Sequence, residues 1–134
     1  MSTFSIPVRV YYEDTDAGGV VYYANYLRFM ERARTEWLRK LGFEQDELSQ
    51  NDGVVFAVRS ANLEFIKAAH FNDLLQVNAT VVTKGKASVT FDQTITRGDE
   101  LICHGEVRLA CVDATQFIPK PIPAAIAARI EITA

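Results

Sequence analysis

EDTDAGGVVYYANYLRFMERARTEW, residues 13–37, decides the fold. Its second half carries Tyr26, Phe29, Met30, Ala33 and Trp37 at i, i+3, i+4, i+7 and i+11, one apolar stripe at helical period. Arg28, Glu31, Arg32, Arg34 and Glu36 fill much of the remaining surface. Arg39 and Lys40 suit the negative end of a helix, and Gly42 supplies a stop. The spacing therefore predicts a helix over residues 24–41. The first half is different: Glu13, Asp14 and Asp16, then Gly18-Gly19, make a loop that runs into the helix N-terminus. Such a terminus presents unpaired backbone N–H groups and a partial positive charge. A carboxylate beside those donors is placed to attack an acyl group whose oxyanion the donors hold.

Working outward, residues 6–13 alternate as a strand, with Pro7 near its start or on an edge. One further helical turn fits residues 45–50, and Asn51-Asp52-Gly53 is a turn signal. Strand patterns follow at residues 54–66, 74–84, 87–97 and 101–113. Lys84-Gly85-Lys86 and Arg97-Gly98-Asp99-Glu100 read as tight turns, and a stiff tail with Pro119, Pro121 and Pro123 leads to a short helix over 124–129. Three consecutive hairpins imply an antiparallel sheet. One long striped helix needs a sheet face to bury it, so the expected class is α+β, a curved antiparallel sheet wrapped around one central helix. Apolar residues on both strand faces point to oligomerisation.

A chain of 134 residues, 49% hydrophobic and 23% charged, suits a single globular domain over residues 1–134. A net charge of −3 argues against nucleic acid as the main partner. Cys103 and Cys111 lie on one strand roughly 26 Å apart at strand rise, beyond disulfide reach. Free thiols fit a reducing compartment. With no signal-peptide pattern and no transmembrane-length apolar run, the expected location is the cytoplasm.

On spacing alone, Asp16 reads as a helix cap or turn aspartate ahead of a catalytic group. Asp14, two residues away, reads as a cap or orienting group for the loop. Gly18-Gly19 lacks the spacing and lysine of a P-loop; close backbone approach by a ligand, or a turn with positive φ, fits better. Tyr22, Tyr23 and Tyr26 read chiefly as packing residues, Tyr22 and Tyr23 with an acyl pocket as the alternative. Lys84, Lys86 and Ser88 read as a solvated turn. His70 reads as a surface residue, Cys103 as a packing residue, and neither His70 nor His104 has metal-ligand spacing.

The stretch from Val8-Arg9-Val10-Tyr11-Tyr12-Glu13-Asp14-Thr15-Asp16 through Ala17-Gly18-Gly19-Val20-Val21-Tyr22, with Tyr26 and Glu31-Arg32-Ala33-Arg34-Thr35-Glu36, resembles a known group. That group is the hotdog-fold acyl-CoA thioesterases of the hydroxybenzoyl-CoA thioesterase superfamily, and within it the Tol-Pal system-associated branch. The likeness continues more loosely through Phe56-Ala57-Val58-Arg59, Glu64-Phe65, Asp73-Leu74-Leu75 and Cys111-Val112-Asp113.

The resemblance implies hydrolysis of an acyl-CoA to a carboxylic acid and free coenzyme A. Asp16 is then the nucleophile or general base, and the Tyr23 backbone N–H the oxyanion donor. Many members of the branch carry histidine where this chain has Tyr23, and a main-chain donor survives that change. Gly18, Arg59, Lys84, Lys86 and Ser88 become substrate-binding candidates, the hairpin residues toward the coenzyme A phosphates and Arg59 as the weaker one. The group uses no metal or organic cofactor. It forms homodimers or homotetramers with sites at subunit interfaces. Acyl carrier protein is a candidate carrier, and peripheral association with envelope or lipid-synthesis machinery a candidate partnership. A hotdog dehydratase would need a histidine in the loop-to-helix stretch. A non-catalytic acyl-binding or envelope-associated module is the reading from another class.

Overall fold

A computed structural model describes residues 4–132. The elements run β1 (Phe4–Arg9), α1 (Ala24–Lys40), α2 (Gln45–Glu47), β2 (Val54–Phe65), β3 (Leu74–Lys84), β4 (Ser88–Arg97), β5 (Glu100–Asp113) and α3 (Ala124–Ala127). The five strands form one antiparallel sheet in the order β1-β3-β4-β5-β2. This is the α+β hotdog architecture, a sheet wrapped on one long helix.

The α1 stripe is the core of that wrap. Phe29, Met30 and Ala33 are fully buried and Tyr26 nearly so. Trp37 is half-buried and stands edge-on to Phe91, 4.9 Å between ring centroids. The sheet meets the stripe with Leu75, Val77, Ala79 and Val81 of β3, Val89, Phe91 and Ile95 of β4, and Val107, Leu109 and Cys111 of β5, all buried. Gly105 marks the closest approach. A Cβ there would sit 3.0 Å from Leu63 Cγ and 3.3 Å from Met30 Cε, so any larger residue would push these side chains back where helix and edge strand close over β5.

Three expectations need correcting. First, residues 54–113 do not make three hairpins. β2 pairs with β5, and only β3–β4 and β4–β5 are hairpins. Residues 66–73 cross beneath the start of α1 instead, and β1 takes the outer edge of β3. Second, the alternation over residues 6–13 does not end as strand. β1 stops at Arg9, and Tyr12–Asp14 is a 3-10 turn, because Asp14 Oδ2 accepts the Tyr11 N–H at 2.8 Å. Third, the outer sheet face is polar. Thr90, Asp92 and Thr94 of β4 and His104, Glu106 and Arg108 of β5 line it, partly or fully exposed. Exposed apolar side chains lie elsewhere, with Val58 and Phe65 on β2. The outer edge of β2 has no partner strand among the described residues.

Candidate active site

Residues 14–16 and 20–22 form a short antiparallel ladder just before α1. Tyr22 N–H donates to the Asp14 carbonyl at 2.9 Å, Thr15 bridges Val21, and Asp16 N–H donates to the Val20 carbonyl at 2.9 Å. Gly18 and Gly19 close the turn. Gly19 adopts φ +81° and donates to the Asp16 carbonyl at 3.0 Å. Gly18 N–H donates to Asp16 Oδ1 at 2.8 Å, while no side-chain donor reaches Oδ2 among the described residues. Asp16 is exposed. It is therefore not the cap of α1: one oxygen fixes the side chain to its own turn and the other faces solvent.

The helix start is open. Tyr23 occupies the cap position with helical dihedrals and gives no side-chain cap, and the first turn of α1 holds no acidic residue. The Asn25 N–H and Tyr26 N–H bond back to Tyr22 and Tyr23. Those of Tyr23 and Ala24 meet no acceptor among the described residues. A 17-residue helix thus presents free donors and its positive dipole end at this point. Asp16 and Tyr23 sit at the two ends of the ladder, on the order of 10 Å apart along three residues of extended chain.

Three contacts fix this geometry. Asn25, buried in the first turn of α1, donates from Nδ2 to the Asp14 carbonyl at 2.8 Å. The Val21 N–H donates to the Ala69 carbonyl at 2.8 Å, and the Ala69 N–H donates to the Tyr26 hydroxyl at 3.1 Å. Burial raises the Tyr26 pKa, with the Ala69 hydrogen bond opposing. Asp73 anchors the segment below, accepting the His70 N–H at 2.8 Å and Arg97 Nη1 at 2.7 Å. Burial pushes the Asp73 pKa up, but the His70 N–H and Arg97 outweigh it and hold the carboxyl below its ordinary value.

Tyr22 and Tyr23 do not pack in the core as expected. Their rings are exposed and tilted against each other at 4.9 Å, and Tyr23 also stands edge-on to Phe65 at 6.0 Å. Tyr26 is the core residue of the three. A shallow groove beside the free N–H groups runs between Val21, Tyr23, Tyr26, Phe65 and Ile66. Sequence reading passed over Asn25 as a positioning group; its signal was a poor helix former one place before the apolar stripe. It also passed over Ile66, which carried none.

The other candidates lie apart from Asp16 in one protomer. The Lys84–Ser88 hairpin closes the far end of β3, an 11-residue strand of about 33 Å. Lys84 Nζ donates to the Ala127 carbonyl of α3 at 3.0 Å, Lys86 is exposed, and Ser88 begins β4. Arg59 is exposed on β2 at a bulge, where the register with β5 shifts between Val58 and Ser60. His104 Nε2 lies 2.5 Å from Asp92 on the outer sheet face, and the His70 backbone bridges Val20 beside the loop. Among the described residues no cluster of His, Cys, Asp and Glu is arranged to hold a metal, and no helix is long and apolar enough to cross a membrane.

Comparison with known proteins then decides the family. The thioesterase superfamily matches residues 18–104, from the turn at Gly18 to the middle of β5. The chain belongs to the thioesterase superfamily. Within that superfamily it is 45% identical to the acyl-CoA thioesterase YbgC of Haemophilus influenzae over 90% of this chain and 88% of that one. It is 41% identical to the acyl-CoA thioester hydrolase YbgC of Escherichia coli O6:H1 over 96% of each. The crystal structure of a probable thioesterase from Bartonella henselae superposes with a TM-score of 0.87 at 31% identity, over 91% of this chain and all of the other.

Proposed function

We propose that this thioesterase-superfamily protein hydrolyses acyl-CoA thioesters to a carboxylic acid and free coenzyme A. The observation that carries the reading is the uncapped start of α1 at one end of a short ladder whose other end holds a carboxylate fixed through one oxygen only. The thioester carbonyl oxygen sits on the Tyr23 N–H, where negative charge develops as the carbonyl is attacked. Preorganised donors of this kind contribute ~10²–10³ in rate each. Asp16 supplies the attack through Oδ2, either directly to give a mixed anhydride or by taking a proton from water. The thiolate leaves without a strong general acid, which suits a site with no histidine in its loop. The 41–45% identical relatives bearing acyl-CoA thioesterase names support this substrate class.

The working unit is a homodimer joined at the free edge of β2. Antiparallel pairing about the middle of Val54–Phe65 sets Phe65 of one copy opposite Val54 of the second. The helix start of one copy then faces the far sheet end of the other. Lys86 and Ser88 lie toward that end and from there approach the coenzyme A phosphates bound at the second copy's Asp16, while Arg59, at the middle of β2, lies at the centre of the seam. Lys84, tied to α3, serves by orienting the hairpin.

Single-turnover hydrolysis in ¹⁸O-water tests the mechanism. Label in Asp16 after one turnover, read by mass spectrometry, establishes the anhydride route. Label only in the product acid places the attack of water at the acyl carbon, as the base route requires, and excludes opening of an anhydride at Asp16. An Asp16→Asn variant as active as wild type overturns both.

A further inference from the structure

The turn after β5 holds a bulky side chain where the backbone favours glycine. Phe117 has φ +57° and is 63% exposed, and Ile118 beside it is exposed too. A bulky residue in the left-handed region is strained, and burial within its own chain does not offset that strain here. The conformation is nonetheless firmly held. Asp113 Oδ2 accepts the Thr115 N–H at 3.0 Å and the Gln116 N–H at 2.7 Å. The Phe117 N–H donates to the Asp113 carbonyl at 2.9 Å, and the Asp113 N–H donates to the Ile118 carbonyl at 2.8 Å. The Gln116 N–H, opposed by burial and joined by the Thr115 N–H, holds the Asp113 carboxyl below its ordinary value, so the turn is built on a charged acceptor at neutral pH. A turn fixed this well around a strained, solvent-facing ring points to a contact outside its own chain.

A second apolar surface is also uncovered. Tyr23, Phe65 and Ile66, all exposed, line the groove beside the free N–H groups at the start of α1. Within one copy the two surfaces lie apart. Asp113 pairs with Val54, the first residue of β2, and Phe65 is the last, roughly 36 Å away at strand rise. The unpaired edge of β2 brings them together between copies. In the edge-paired dimer Phe65 of one copy lies opposite Val54 of the second, and the second copy's Asp113 is one strand further on, ~10 Å from that Phe65. The Phe117 turn spans this distance, and two-fold symmetry makes the same contact twice.

We propose that Phe117 of one copy covers the Tyr23–Phe65–Ile66 groove of the second, so that each copy closes the other's site with an apolar lid over the α1 donors. Donors act more strongly on developing charge where water is excluded. The proposal rests on the thioesterase reading and the edge-paired dimer above, and adds to them a residue supplied in trans.

Two experiments on the full chain test it. A short bismaleimide should join the double variant Ile66→Cys/Ile118→Cys into a covalent dimer on a denaturing gel, and should join neither single variant. Cys103 and Cys111 are buried and do not compete. Phe117→Gly removes the ring and suits the backbone, so it should remain folded by circular dichroism while kcat for acyl-CoA falls at least ~10-fold. A hybrid of one Phe117→Gly chain and one Asp16→Asn chain, isolated through two different tags, unites an intact Asp16 with an intact Phe117 at one of its two sites. It should recover about half the wild-type rate although both parent proteins are slow. A hybrid as slow as its parents, a Phe117→Gly protein as active as wild type, or a double variant that does not cross-link overturns this inference and leaves the thioesterase reading intact. If wild type hydrolyses no acyl-CoA, or Asp16→Asn is as active as wild type, the reading above fails and the cross-link alone decides the contact.

Discussion

Replacing Tyr26 by phenylalanine removes one oxygen and tests whether the crossing segment positions the proposed catalytic loop. The Tyr26 hydroxyl accepts the Ala69 N–H, and Ala69 is fully buried. Phenylalanine fills the same space and leaves that N–H without an acceptor. An orphaned buried donor costs about 1–3 kcal/mol. For a chain of this size, that lowers the melting temperature by roughly 4–12 °C. The same Ala69 holds the Val21 N–H through its carbonyl, two residues before the proposed oxyanion donor. Loosening that tether should lower kcat by ~3–100-fold, because misplacement of about 1 Å is enough to cost ~10². Calorimetry and acyl-CoA kinetics on Tyr26→Phe measure both, with Tyr12→Phe as the melting control, since the Tyr12 ring is 79% exposed. A Tyr26→Phe melting point within ~1 °C of wild type, with kcat unchanged, would refute the reasoning at both levels.

Other outcomes follow from the same contacts. Asn25→Ala should lower kcat more than it lowers the melting temperature, since the Asp14 carbonyl keeps its Tyr22 N–H while the helix loses its side-chain link to the Asp14–Asp16 segment; kinetics beside thermal melts read the split. The Asp73 carboxyl sits below its ordinary value, so it contributes stability above that value, and the contribution disappears as pH falls through the folded-state pKa. Asp73→Asn should thus be less stable than wild type in urea at pH 7, with the gap closing below about pH 4. Burial pushes the Cys103 thiol up to about 11 and raises Cys111 also, so iodoacetamide at pH 8 should label neither in the native protein and both in guanidinium. Val58→Asp should shift the protein toward monomer in sedimentation and lower activity with it.

The sequence carried the helix, the class and most strand limits because those depend on local period. Residues 74–84 read as β3 and appear as β3, and the stripe from Tyr26 to Trp37 became the buried face of α1. Strand order was not local. A strand pattern at residues 54–66 followed by one at 74–84 looks like a hairpin, and nothing in either pattern says that β5 is the partner of β2. Gly105 was the available hint, a lone glycine in a strand where another element closes in. The end of β1 was misread because Tyr11 and Tyr12 continue the alternation while the Asp14 carboxylate folds the chain back. At the site, Asp16 and its glycine turn were legible as a carboxylate before a helix. The exposure of Tyr22 and Tyr23 was not, since a tyrosine at a helix start packs or projects according to what lies across from it. Here that is Phe65, forty-two residues further along the chain from Tyr23.

The most direct measurement is acyl-CoA hydrolysis by wild type beside Asp16→Asn. Asparagine keeps an oxygen for the Gly18 N–H, so the turn survives and only the charge is lost. A fall of at least ~10²-fold in kcat/KM with an unchanged melting curve is the expected result. Equal activity in the two proteins would contradict Asp16 as the attacking or activating group and would move the search to another carboxylate, Asp14 first.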